Sequence, residues 1–131
     1  QVRWLRDCPV CTDPRPEFPM VALAKEEWPR VEIITSYAGV SGATVRSLCA
    51  STVASGPTVQ GIVIAGTGNG TLHQDLELAL IEAQALGVRV VRSSRCAYGV
   101  VVAGAAVNTL PDSKGLQPVK ARISLMLELM A

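Results

Sequence analysis

Histidine occurs once in this sequence, at His73, and no second C-x-x-C accompanies Cys8-Pro-Val-Cys11. A zinc site needs more ligands than that, so no metal is expected. One Phe, two Tyr and two Trp leave little for stacking nucleobases or sugars. Twelve Lys/Arg against eleven Asp/Glu give a net charge of +1, with no basic cluster to neutralise phosphates, so nucleic acid is not an expected partner. No apolar run approaches the roughly 18 residues of a membrane span; the longest, from Tyr98 to Val107, is broken by glycines. What is plentiful is aliphatic: 49% of the 131 residues are hydrophobic and 18% charged, which excludes intrinsic disorder and suits one soluble domain with a short appendage.

The chain divides near residue 30. Residues 1–29 hold five of the eight prolines and no steady periodicity, and they read as a Pro-rich arm or interdomain linker. Cys8 and Cys11 sit in that stretch, away from any strand-to-helix junction that would lower a thiol pKa, and they read as an incidental pair rather than a redox centre or thiol switch. Cys49 and Cys96 fall inside apolar patterns and read as small buried hydrophobes, which favours a reducing, cytoplasmic setting over a periplasmic one. The first residue is Gln1, so a processed chain or a piece of something longer is expected.

Beyond residue 30 the pattern alternates. Val31 to Tyr37 is β-branched and ends in glycines, a strand and turn. Ala43 to about Ser55 places Val45, Leu48, Cys49 and Val53 on one helical face. Ile62-Val63-Ile64-Ala65 is wholly apolar, as a strand covered on both faces must be. It enters Gly66-Thr67-Gly68-Asn69-Gly70, after which Leu72, Leu76, Ala79, Leu80 and Ala83 mark a second helix closed by Gly87. Val88 to Val91 is a further strand, ending in Arg92-Ser93-Ser94-Arg95, and Val100 to Ala103 reads as a fourth. Pro118 opens a last helix with Val119, Ile123, Met126, Leu127 and Met130 on one side and Leu125 and Leu129 on another, so this helix is expected to be sandwiched or to meet another subunit. The fold class is α/β: a three-layer sandwich with a small, mainly parallel sheet of about four strands flanked by helices.

Ligands of open parallel sheets bind beyond the strand carboxyl ends. The Gly66–Gly70 loop lies there, with free N–H groups of the next helix behind it, suited to a carboxylate. It is neither G-x-G-x-x-G nor a P-loop, so no nucleotide cofactor is expected. Thr71 with Gln74 also fits a capping box, and Asn69 suits a tight turn; neither use excludes a ligand contact. Ser93 or Ser94 with His73 and Asp75 makes a poor catalytic set, lacking a nucleophile elbow. Arg92 and Arg95 read as structural ion-pair partners. No catalytic residue is assigned.

Three motifs in order carry a family resemblance: Gly61 to Gly70, Val90 to Arg95, and Pro118-Val119-Lys120-Ala121-Arg122. With the opening Val31 to Gly39, residues 30–131 resemble the C-terminal domain of bacterial L-asparaginases and glutaminase-asparaginases. The resemblance implies hydrolysis of L-asparagine to L-aspartate and ammonia by a threonine nucleophile in a larger N-terminal domain, whose Thr-Gly-Gly-Thr signature these residues do not contain. It implies an asparagine-like amide substrate, a homo-oligomer (tetramer or dimer), and a C-terminal domain that touches the amino acid bound in a neighbouring subunit. The contact position is Thr71, where relatives commonly carry Asn or Ser, with Gly68, Asn69 and Gly70 shaping the loop. Many relatives also place a Glu after Ser-Ser-Arg to meet the substrate amino group; here the only acid between Cys96 and Lys120 is Asp112. The chain alone is expected to be inactive. The alternative is a stand-alone module of the same fold that binds an amino acid or carboxylate.

Overall fold

The computed structural model describes residues 27–50, 58–99, 101 and 110–131. The Cys8–Cys11 pair and nearly all of the Pro-rich arm lie outside them. Three strands, β1 (Val31–Thr35), β2 (Gly61–Gly66) and β3 (Arg89–Ser94), form a parallel sheet in the order β1-β2-β3. Helix α1 (Ala43–Ala50) connects the first two strands, α2 (Gln74–Ala85) the next two, and α3 (Pro118–Met130) ends the chain. The α/β class and layering agree with the sequence reading, with three strands among the described residues rather than about four.

Both crossovers step the same way across the sheet. Right-handed crossovers taken in one direction put their helices on the same face. Val45 of α1 and Leu76, Ala79, Leu80 and Ala83 of α2 accordingly join Ile34, Ile62, Ile64 and Val90 in one core. The opposite face is covered by α3, whose Ala121, Leu125 and Met126 pack with Val31 and Val63. Strand β2 therefore has side chains buried in both directions, and all six of its residues are buried. Arg122 fastens α3 to the sheet edge by donating from Nε to the Val31 carbonyl at 2.8 Å.

Of the expected strand at residues 100–103, only Val101 is described, and it is not in a strand; the other three residues lie outside the described ones. The segment around Asp112 runs beside β3, where Asp112 forms a parallel bridge with Arg92. Pro111 O accepts from Arg92 N at 2.7 Å and Ser113 N donates to Arg92 O at 2.8 Å. On α3, Leu125 and Met126 meet the sheet and Met130 is buried, so both expected sides contribute, while Val119 and Ile123 are exposed. Helix α1 ends at Ala50 among the described residues, and its expected continuation to Ser55 lies outside them. Leu86 caps α2 and Gly87 follows with φ +90°, the position expected for it.

On the solvent side, Arg46 of α1 and Glu82 of α2 form a two-toothed ion pair at 2.8 and 3.1 Å. The hydrogen bonds from the guanidinium hold the Glu82 carboxyl below its ordinary value. No described helix is long and apolar enough to cross a membrane.

Two outcomes follow from this packing. Leu80, fully buried between α2 and the sheet, should cost about 2–5 kcal/mol when cut to alanine, seen as a lower urea midpoint with unchanged slope. Because the folded Glu82 carboxyl is depressed, its contribution is complete above the unfolded carboxylate pKa and is lost as pH falls through the folded value. Urea midpoints taken from neutral to acid pH should fall slightly further in the parent than in Glu82→Gln, and high salt should erase the difference.

Candidate functional site at the strand carboxyl ends

The ends of the three strands meet around the loop that leaves β2. Residues 67–71 close on themselves: Thr67 N donates to Thr71 O at 3.1 Å, while Thr71 N and Gly70 N donate to Thr67 O at 2.9 and 2.8 Å. This narrow turn brings Gly70 back over Gly66. A Cβ on Gly66 would lie 2.6 Å from the Gly70 carbonyl carbon, and Gly70 itself has φ +88° with Val101 2.8 Å from where its own Cβ would be. A side chain at either position would push the turn off the sheet.

The turn displays two polar side chains. Thr71 Oγ1 donates to Asn69 Oδ1 at 2.9 Å, and both residues are exposed. That bond uses the threonine proton, leaving the oxygen lone pairs to accept and the Asn69 amide nitrogen to donate. A ligand with an ammonium or amide N–H at one end and a carboxylate or carbonyl at the other complements this pair. Gly68 is exposed at the tip and Gly70 is buried beneath it, so the four residues singled out in the sequence form one structural unit.

The expected capping box is not formed. Helix α2 begins at Gln74 with His73 as its N-cap, and His73 Nδ1 accepts from Asp75 N at 3.4 Å. Thr71 cannot open the helix because its backbone is paired with Thr67 and its hydroxyl is bonded to Asn69. Asp75 and Glu77 in the first turn suit the positive end of the helix dipole. The chain entering α2 is fastened to β1 through Ser36, a buried residue whose Oγ accepts from His73 N at 3.3 Å.

Strand β3 supplies the other wall. Arg92 is buried, and its side-chain stem packs against Gly70. Arg95 N donates to Gly66 O at 2.9 Å. Ser93 and Ser94 are both buried and point to opposite faces: Ser93 Oγ donates to Leu116 O at 2.7 Å, and Ser94 Oγ to Gly68 O at 2.5 Å. Both hydroxyls are thus bonded to backbone carbonyls and neither reaches His73, so the serine–histidine set weighed from the sequence does not assemble. Cys96 corrects another expectation. It is exposed, not buried, and its Sγ accepts from Gly68 N at 3.2 Å. It follows the last strand residue by two positions, where the chain has already left the sheet. Cys49 is half-buried, and burial pushes its thiol pKa up. Asp112 Oδ1 accepts from Lys114 N at 2.6 Å, so this carboxylate is engaged in its own turn beside β3.

Two clefts, of ≈ 330 and ≈ 350 Å³, lie near the opposite ends of the strands; one is lined by Arg89, Asp112 and Glu128, the other by Gln60, Gly87 and Leu129. Neither includes a residue of the 66–71 turn. Asn69 and Thr71 stand exposed on a ledge at the strand carboxyl ends. Among the described residues there is no group of three or more His, Cys, Asp or Glu able to hold a metal.

Comparison with known proteins covers most of the chain. Residues 30–131 match the family described as Glutaminase/Asparaginase C-terminal domain. The chain is 40% identical over 106 residues to L-asparaginase 2 of Bacillus subtilis, a match spanning 79% of this chain and 27% of that protein. It is 35% identical over 108 residues to a glutaminase-asparaginase of Pseudomonas fluorescens, spanning 77% and 28%. Among solved structures, a probable cytoplasmic L-asparaginase from Campylobacter jejuni superposes with a TM-score of 0.67 at 34% identity, covering 79% of this chain and 33% of that one. The chain thus spans about a third or less of the length of these relatives.

Gly70→Ala should lower stability by at least about 1 kcal/mol, from the left-handed backbone and the contact with Val101 together. Urea unfolding of the variant checks this, and an unchanged midpoint would mean the turn tolerates a side chain there.

Proposed function

Since the chain belongs to the glutaminase/asparaginase C-terminal domain family, we propose that it acts as the C-terminal domain of an L-asparaginase-type amidohydrolase and supplies one wall of an active site shared with a neighbouring subunit. The substrate is L-asparagine or a close amide, and the products are the acid and ammonia. The reactive threonine comes from an N-terminal domain outside these residues, and a homo-oligomer, tetramer or dimer, brings the two parts together. A cytoplasmic setting belongs to the same reading, after the Campylobacter jejuni relative's description.

The observation that carries this reading is the Thr71–Asn69 hydrogen bond on an exposed ledge at the strand carboxyl ends. An amino acid offers an ammonium, a carboxylate and a side-chain amide. The ledge offers acceptor lone pairs on Thr71 Oγ1 and a donor on the Asn69 amide, which complement that set but cannot break a bond. Hydrolysis needs an activated nucleophile and a base within hydrogen-bond reach, and the two buried serines are bonded to carbonyls instead. An exposed ledge also leaves substrate in water, where each polar contact is weak. A second protein surface laid over it would exclude that water and give the contacts their strength.

Thr71 bears on specificity. Its hydroxyl is short and already donates to Asn69, so it offers an acceptor close to the backbone where a longer amide would reach further. Asp112 accepts from Lys114 N within its own turn rather than from a residue of the ledge. Recognition of the substrate ammonium thus rests on Thr71 and on the neighbouring domain.

Coupled ammonia assays test the reading. The 131-residue chain should release no ammonia from L-asparagine, and turnover near the enzymic range of roughly 1–10³ per second would refute it. In the full-length protein, Thr71→Ala should raise KM by roughly 3–10-fold with little change in kcat, as expected for one lost hydrogen bond made equally in ground and transition states. Tight binding of L-asparagine to the lone chain would favour the stand-alone module instead.

A further inference from the structure

We propose that Ser94 is a positioning residue for substrate binding: it holds Gly68 so that Asn69 and Thr71 keep a single arrangement on the ledge. This rests on the function proposed above. The bonds within the 67–71 turn close it on itself but do not attach it to the sheet. Its base is attached where Arg95 N donates to Gly66 O at 2.9 Å. Its tip is attached at both backbone polar groups of Gly68: the carbonyl accepts from Ser94 Oγ at 2.5 Å, and the N–H donates to Cys96 Sγ at 3.2 Å. Sulfur is a weak acceptor, so the serine hydroxyl is the stronger of the two attachments.

That hydroxyl is held in one orientation. Ser94 Oγ also accepts from Cys96 N at 3.2 Å, which directs its own proton to Gly68 O. The side chain is 3% exposed, so water does not stand ready to replace it. Gly99 packs directly over the bond: a Cβ there would collide with Ser94 Oγ and lie 2.6 Å from Gly68 O. The 96–99 turn that brings Gly99 into place is closed by Gly99 N donating to Cys96 O at 2.9 Å. Gln117, just ahead of α3, steadies that turn through Nε2 bonds to Cys96 O and Ala97 O at 3.2 and 3.4 Å. The tip of the loop is thus clamped from the end of β3 and from the start of α3.

Ser93 provides the control. It is as buried as its neighbour and loses a comparable hydrogen bond when truncated, but it bonds Leu116 O on the opposite face of the sheet. A purely structural role predicts like behaviour from the two serines; a positioning role separates them.

The experiment compares Ser94→Ala, Gly99→Ala, Ser93→Ala and Thr71→Ala in the full-length protein, reading KM and kcat for L-asparagine and hydrogen–deuterium exchange of the peptide spanning residues 66–72. Ser94→Ala and Gly99→Ala should each raise KM roughly 3–10-fold, leave kcat within about two-fold, and speed exchange of 66–72, whereas Ser93→Ala should move none of the three. Equal KM effects from Ser93→Ala and Ser94→Ala, or unchanged KM and exchange in Ser94→Ala, would overturn the proposal. If Thr71→Ala raises KM and Ser94→Ala does not, positioning fails while the function stands. If Thr71→Ala leaves KM unmoved, the ledge has no substrate role and positioning falls with it, even where faster exchange in Ser94→Ala shows the clamp to be real.

Discussion

The exposed end of this domain depends on the contact between Gly66 and Gly70. Two stretches of backbone approach there with no side chain between them, because a Cβ on Gly66 would lie 2.6 Å from the Gly70 carbonyl carbon. That approach folds five residues into a closed turn directly on the end of β2, the strand whose side chains are buried on both faces of the sheet. The turn inherits the rigidity of the best-packed strand. Asn69 and Thr71 are polar and exposed, yet they belong to a turn seated on the end of that buried strand.

Alternation along β3 divides its work. Val90 joins the core under α1 and α2, and Val91 packs toward α3. The same period of two sends Ser93 to Leu116 O and Ser94 to Gly68 O. Two adjacent, identical side chains thus serve different ends: one satisfies the approach to α3, the other anchors the loop. Burial forces both to find acceptors, since an unpaired hydroxyl in the interior costs about 1–3 kcal/mol. Neither is left free to act as a nucleophile.

The ledge presents one donor and one acceptor side chain, and the two serines nearest it are bonded to backbone carbonyls. Its donor and acceptor pair is neutral, and the two measured clefts lie away from it. Such a surface gains strength only when water is displaced from it. The domain belongs to this family and spans about a third or less of its relatives' length, and the function proposed above has it complete an active site together with other chain segments.

Local pattern alone determined the alternation of strands and helices, the double burial of β2, the glycine turn after it and the close of α2 at Gly87. Each depends on residue type and short-range periodicity, which survive in any fold that buries the apolar faces. The tertiary structure decided what depends on hydrogen bonds between distant segments. Thr71 did not cap α2, because Thr67 and Asn69 claimed it first. Cys96 was not buried, because the chain leaves the sheet after Ser94 and turns back over Gly68. The segment around Asp112 came to lie beside β3 through backbone bonds to Arg92 that its polar sequence does not announce. Which serine holds the loop was likewise invisible in Ser93-Ser94, two identical letters whose difference is the face of the sheet each one meets.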